Sequence, residues 1–223
     1  MLTVVARLLS RRRWFRTSLW LFITIFFWFF TSGCNSVSPE VKIGLVGPFE
    51  GRHRDVGYDV IYSARLAIRE VNNSGGIGQY RVSLVAFDDF GNPEMAPQVA
   101  AALVADDDIV AVLGHWLPET TNSAAPVYER GNVPFVATDN NEFEIADPSI
   151  LPVEFQQRYA SITPFDEVVG PHAGGAYDAM NAIIEAIRLA EDSEDEVNRD
   201  SVGRALKGLS YDGMTGVFDF REQ

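Results

Sequence analysis

"VKIGLVGPFEGRHRDVGYDVIYSARLAIREVNNSGGIGQYRVSLVAFDD" (41–89) is the stretch that decides the fold. It opens with a β-branched apolar run ending on glycine, "VKIGLVG" (41–47), the pattern of a buried strand entering a loop. In "GYDVIYSARLAIREVN" (57–72) the period changes, and Val60, Ala64, Ala67, Ile68 and Val71 fall on one helical face. "NNSGG" (72–76) supplies the turn chemistry that stops this helix. "YRVSLVAF" (80–87) is a second strand. A strand, a crossover helix and a second strand make a βαβ unit, whose strands lie parallel.

The alternation continues beyond this unit. "PEMAPQVAAALVAD" (93–106) reads as a helix with Pro97 in its first turn, where a missing N–H costs little. "IVAVLG" (109–114) is a third strand, and "PETTNSAAPVYERG" (118–131) holds a helix with a bend expected at Pro126. "VPFVATD" (133–139) is a fourth strand. The order βαβαβαβ predicts an α/β fold, a doubly wound parallel sheet with helices on both faces. In such sheets ligands bind outside the carboxyl ends of the strands. The loops there are "GPFEGRHRDVG" (47–57), "DDFGNPE" (88–94), "GHWLPETT" (114–121) and "TDNNE" (138–142). Together they form the expected site.

The first 34 residues have another character. Arg7, Arg11, Arg12, Arg13 and Arg16 lie in a start that carries no acid. "SLWLFITIFFWFF" (18–30) follows, uninterrupted and apolar, but shorter than the roughly 20 residues a spanning helix needs. Basic start, short apolar core and small-residue exit are the parts of a secretory signal. "SRRRWFR" (10–16) loosely resembles a twin-arginine export signal, although the core is greasier than that route prefers, which favours general secretion. "TSGC" (31–34) resembles a bacterial lipobox, whose cysteine is lipidated and becomes the mature N-terminus. Gly33 and Ser32 fit that motif, and Thr31 departs from its usual leucine. Cys34 is the single cysteine, so lipidation would leave no thiol to mispair in an oxidising compartment. The alternative is an uncleaved anchor with an incidental cysteine. Either reading puts the body outside the cytoplasm, tethered to a membrane. "NSVSPE" (35–40) is a short polar tether.

The 223 residues include 31 acidic and 18 basic side chains. Setting aside the five leader arginines leaves 13 basic residues, so the body carries −18. Such a surface repels phosphate backbones, which argues against a nucleic-acid partner. No G-x-x-x-x-G-K-[ST], H-E-x-x-H or G-x-S-x-G motif occurs, and His53, His115 and His172 are scattered. No catalytic residue, cofactor or metal is expected. Asp88 or Asp89 could serve a ribose in a dinucleotide enzyme, but Gly44, Gly47 and Gly51 do not form that fingerprint. "EDSEDE" (191–196) reads as a solvated acidic loop between two helices.

Taken in order, "KIGLVGPFEG", the run from Gly57 to Ala96, "VAVLGHW" and "VPFVATD" resemble the first lobe of the type I periplasmic binding proteins. The branch is that of branched-chain amino-acid receptors of ABC transporters. "FQQRYASI" (155–162), "AGGAYDAMNAIIEAIRLA" (173–190) and "SVGRALKGLSYDGMTGVFDF" (201–220) resemble the closing segments of the same family. The second lobe would need on the order of 100 residues between them, and only a shortened crossover at 142–154 is present. The resemblance thus implies a signal at 1–34, a tether at 35–40 and a single lobe at 41–223. Within that lobe, 41–141 would be the βα core and 155–223 the return segments packing back on it.

The resemblance further implies a solute-binding lipoprotein that delivers a small polar solute, an amino acid or amide, to an ABC permease, with a homodimer as one way to supply the missing wall. In the family, the loop and helix start after the third strand hold a ligand carboxylate. The matching positions are Trp116, Glu119, Thr120 and Thr121, and Glu119 is a departure because an acid repels a carboxylate. Thr120 and Thr121 equally suit first-turn capping. Asp139, Asn140 and Asn141 match the loop that meets a ligand amino group, or serve as turn residues. Phe49 lies where the family places a residue beside the ligand, or caps the sheet edge. A rival reading makes the lobe an interaction or sensor domain, and another makes the chain a deletion product.

Overall fold

The computed structural model describes residues 38–138, 144–164, 167–193 and 196–222. Strands and helices alternate as β1 (Glu40–Gly47), α1 (Arg54–Asn73), β2 (Arg81–Asp88), α2 (Ala96–Val104), β3 (Ile109–Leu113), α3 (Pro118–Arg130) and β4 (Phe135–Val136). All four strands are parallel, in the order β2–β1–β3–β4. The chain therefore moves outward from β1 to β2, then crosses back to β3 on the other side. That reversal puts a switch point between the carboxyl ends of β1 and β3.

Strand periodicity divides the core into two layers. Val41, Ile43 and Leu45 of β1 pack with Val60, Ala64, Ala67, Ile68 and Val71 of α1, the face named by its periodicity. Val46 turns the other way and joins Ile109 and Val112 against Ala100 and Leu103 of α2 and Ala124 and Tyr128 of α3. The strands are therefore covered on both faces, as parallel sheets require.

The later segments complete the α1 layer. They form α4 (Val153–Ala160), α5 (Ala173–Ser193), α6 (Arg199–Lys207) and a hairpin of β5 (Ser210–Asp212) and β6 (Val217–Asp219). Helix α5 lies along α1, and α6 lies against α5 and β3. Met180, Ile183, Ile184 and Ile187 of α5 and Val202 and Leu206 of α6 share the core of α1. Each such side chain, fully buried, stabilises by roughly 1.5–3 kcal/mol. Helix α4 is anchored by Phe155 and Tyr159, which pack with Leu66, Leu151 and Val169. Asp178 fastens the hairpin, accepting from the Thr215 amide at 2.7 Å and its hydroxyl at 2.6 Å.

Several element boundaries differ from the sequence reading. Helix α1 begins three residues earlier, at Arg54, after a 3-10 turn over Gly51–His53. Pro126 lies inside helix α3, which is continuous over Pro118–Arg130. Helix α5 reaches Ser193, so Glu191, Asp192 and Ser193 belong to its last turn and not to a loop. Strand β4 contracts to two residues, because β3 stops at Leu113 and Gly114 turns away at φ 134°.

Candidate functional site

The carboxyl ends of β1 and β3 are shaped by two glycines. A Cβ on Gly114 would stand 2.2 Å from the Val46 carbonyl oxygen, and its φ of 134° is a conformation only glycine adopts freely. A Cβ on Gly57 would stand 2.4 Å from the Pro48 carbonyl oxygen, so the first turn of α1 can close under the loop after β1. These approaches bring Phe49 and Trp116 together over Gly47. A Cβ there would meet Trp116 Cδ1 at 3.1 Å and Phe49 Cε1 at 3.3 Å. The Trp116 ring is buried and meets the His172 ring edge-on, with centroids 6.1 Å apart. Burial lowers the pKa of His172, which favours its neutral form.

Two adjacent carboxylates hold this rim. Asp88 Oδ1 accepts from the Phe49 amide at 3.0 Å and the Phe90 amide at 2.7 Å. Burial raises its pKa, against the pull of those backbone donors. Asp89 is fully buried, and its Oδ2 lies 2.7 Å from His115 Nδ1. On its other side, His115 Nε2 lies 3.1 Å from the Tyr128 hydroxyl. Asp89 accepts, which places a proton on Nδ1. Burial raises the Tyr128 pKa and keeps the phenol protonated. The His115 carbonyl accepts from Thr121 Oγ1 at 2.8 Å and Thr138 Oγ1 at 3.1 Å. One buried network thus joins the loops after β2, β3 and β4.

The expected site residues separate into three groups. Phe49 and Trp116 come together at the switch point. Thr120 and Thr121 are buried and donate their hydroxyls inward, Thr120 to the Leu117 carbonyl at 2.9 Å and Thr121 to that of His115. Glu119 is exposed in the first turn of α3, which has Leu117 at its N-cap and no side-chain cap. Asp139, Asn140 and Asn141, like Cys34, lie outside the described residues. Sequence reasoning set His115 and Asp89 aside. The available signal was a polar residue within two positions of the end of each of β2 and β3, with Gly47 ending the strand between them.

Among the described residues no cluster of His, Cys, Asp and Glu is arranged to hold a metal. No described helix is long and apolar enough to cross a membrane. The arrangement offers a shelf at a switch point, with two aromatic rings and a helix start whose amides no side chain caps.

Comparison with known proteins gives the family. A family model described as "Periplasmic binding protein" matches residues 40–155, just over half of the chain. The chain belongs to the periplasmic binding protein family. Similar curated proteins include an amino acid binding protein of Pseudomonas aeruginosa, 34% identical over 94 residues. The Leu/Ile/Val-binding protein of Escherichia coli is 30% identical over 94 residues. Each match takes in 42% of this chain and 25% of the relative, so the chain spans about a quarter of the length of the curated relatives it matches.

Among solved structures, a putative branched-chain amino acid ABC transporter protein from Rhodospirillum rubrum superposes with a TM-score of 0.69 at 15% identity, covering 81% of this chain and 93% of the other. A branched-chain amino acid substrate binding protein from Streptococcus pneumoniae, in complex with isoleucine, gives 0.67 at 13% identity, covering 81% and 92%. A coverage of 81% cannot be reached by residues before 155 alone, so the shared fold takes in the C-terminal helices.

Proposed function

We propose that the chain is an extracytoplasmic solute-binding protein of an ABC transporter, tethered through Cys34, that holds a small polar solute such as an amino acid or amide and does not catalyse. Family membership supports the class and an extracytoplasmic location, and relatives named for amino-acid binding support the ligand type. The observation that carries the site is the convergence of Phe49 and Trp116 over Gly47, beside the uncapped start of α3. A ligand carboxylate fits the amides of that helix start. Its amino group would meet Asp139, Asn140 and Asn141. Because the hydroxyls of Thr120 and Thr121 point inward, those residues shape the loop, and backbone amides take the anion. Glu119 favours a ligand with a neutral amide at that end.

A single wall leaves the ligand wet, so its polar contacts gain little over water. Titration calorimetry with amino acids, amides and urea should find weak, saturable binding that Trp116→Ala abolishes. No heat from any of these at millimolar ligand would overturn the reading. The rival, a lobe that docks another protein, draws support from Phe87 and Phe90, 38% and 54% exposed at the end of β2. Retention of a protein partner that Phe90→Ser releases, without solute binding, would favour it.

A further inference from the structure

Helix α1 carries an outer face unlike the rest of an acidic body. At 100° per residue, Arg54, Tyr58, Arg65 and Arg69 fall within a sector of roughly 60°. All four are exposed. The Arg65 guanidinium lies over the Tyr62 ring, 5.7 Å from its centroid, which holds it on the stripe. No acid of α1 falls in that sector. Asp55 lies on the flank that Tyr62 shares, toward α4. Glu70 lies further round, where it accepts from Arg158 at 2.7 Å and from the Tyr177 hydroxyl.

The point where the chain enters the fold gives this face a position. Ser38 is the first described residue, and the Pro39 carbonyl accepts from the Arg81 amide at 2.9 Å. The next residue, Val82, bonds the Asn72 side chain through its amide at 3.0 Å and its carbonyl at 2.7 Å. That ties the entry corner to the last turn of α1. Arg69 lies about one turn before Asn72, and Arg65 about one turn before that. Arg81 stands in register with Glu40, and their charges offset each other. Cys34 is four residues before Ser38, a reach of at most about 14 Å. A lipid on that cysteine keeps this corner close to the bilayer.

A tether removes most of the entropic cost of meeting the surface and leaves the choice of face. An anionic surface repels the acidic body, but only at short range. A helix is about 10 Å across, so acids behind the sheet lie beyond the roughly 8 Å screening length of physiological salt. The side that meets the headgroups is then one with arginines and no acids. Arginine pairs with phosphate through two parallel hydrogen bonds, and tyrosine settles at headgroup level. An acidic protein would also match the arginines, but the place of the stripe beside the tether favours lipid.

We propose, resting on the tether at Cys34, that α1 lies flat on an anionic lipid surface, with Arg54, Arg65 and Arg69 on the phosphates and Tyr58 among them. The strands then run along the membrane plane, and the shelf at their carboxyl ends opens sideways.

The test is arginine labelling by phenylglyoxal, read residue by residue by mass spectrometry, on the full chain reconstituted in vesicles. Vesicles of phosphatidylcholine are compared with vesicles that also contain phosphatidylglycerol. Arg130, exposed on α3 behind the sheet, is the internal reference. Relative to it, labelling of Arg65 and Arg69 should fall by about fivefold on the anionic vesicles and recover in high salt. Arg65→Glu combined with Arg69→Glu should restore the labelling of Arg54. Equal labelling on both vesicles, with the chain floating on both, would overturn the lipid face, leave the tether standing and turn the stripe to an acidic protein. Protection that ignores both salt and the double reversal would overturn it as well. A chain that floats with neither kind of vesicle would overturn the tether and the face together.

Discussion

At the scale of the residue, Gly114 fixes where β3 ends and the site begins. Its φ of 134° and the 2.2 Å approach a Cβ would make to the Val46 carbonyl leave no relaxed place for a side chain. Gly114→Ala should cost about 2–4 kcal/mol, combining backbone strain with a backbone clash, and be read as a lower urea midpoint at unchanged slope. His115 is a second such residue. His115→Ala would leave the Asp89 carboxylate buried beside a vacated ring, at about 3–5 kcal/mol. Asp59 gives a pH signature. It accepts from the His172 amide at 3.1 Å, and burial raises its pKa to about 6 against a usual 3.8, with nearby Asp55 adding to the rise. The folded state therefore takes the proton first as pH falls. The contribution of this group to stability is fully present below 3.8, and it is lost as pH rises through 6. The change is on the order of 3 kcal/mol. Asp59→Asn should flatten the pH dependence of the urea midpoint between pH 4 and about 6.5 relative to wild type.

At the scale of the element, one side chain closes two helices. Arg199 donates to the carbonyls of Val104 at 2.9 Å and Asp106 at 2.7 Å, which follow from the end of α2. It also reaches Gly131 at 3.3 Å, at the end of α3, and Ile109 at 2.9 Å. A cation at two helix carboxyl ends satisfies carbonyls that have no helical partner and complements both dipoles. Arg199→Met should destabilise by about 2–3 kcal/mol, and Arg199→Lys by nearly as much, since an ammonium cannot span the same fan of acceptors. Thermal unfolding of the two variants would check the ranking. The four strands and the buried face of α1 were legible in the sequence, because apolar runs and the 3.6 period record burial directly. The Arg199 fan was not, since its acceptors are backbone atoms from segments some 70–95 residues away. For the site, Phe49 and Trp116 were found by position in loops. The inward turn of the Thr120 and Thr121 hydroxyls depends on where neighbouring carbonyls point, which residue type does not encode.

At the scale of the whole molecule, the sheet depends on its last third. Helices α5 and α6 cover one layer of the core, with Met180, Ile183, Ile187 and Val202 fully buried there. Ending the chain at residue 172 would open that layer, and the product should lose cooperative unfolding by near-ultraviolet circular dichroism. The ties between early and late segments, Asp59 with His172 and Glu70 with Tyr177, join residues 113 and 107 apart in sequence. Contacts so distant along the chain form slowly, because a long loop must close before they contribute. Until α5 emerges, the layer that α1 begins is only partly built and its apolar side chains lack their partners on α5 and α6. Folding of the domain is thereby deferred until α5 and α6 have both been made.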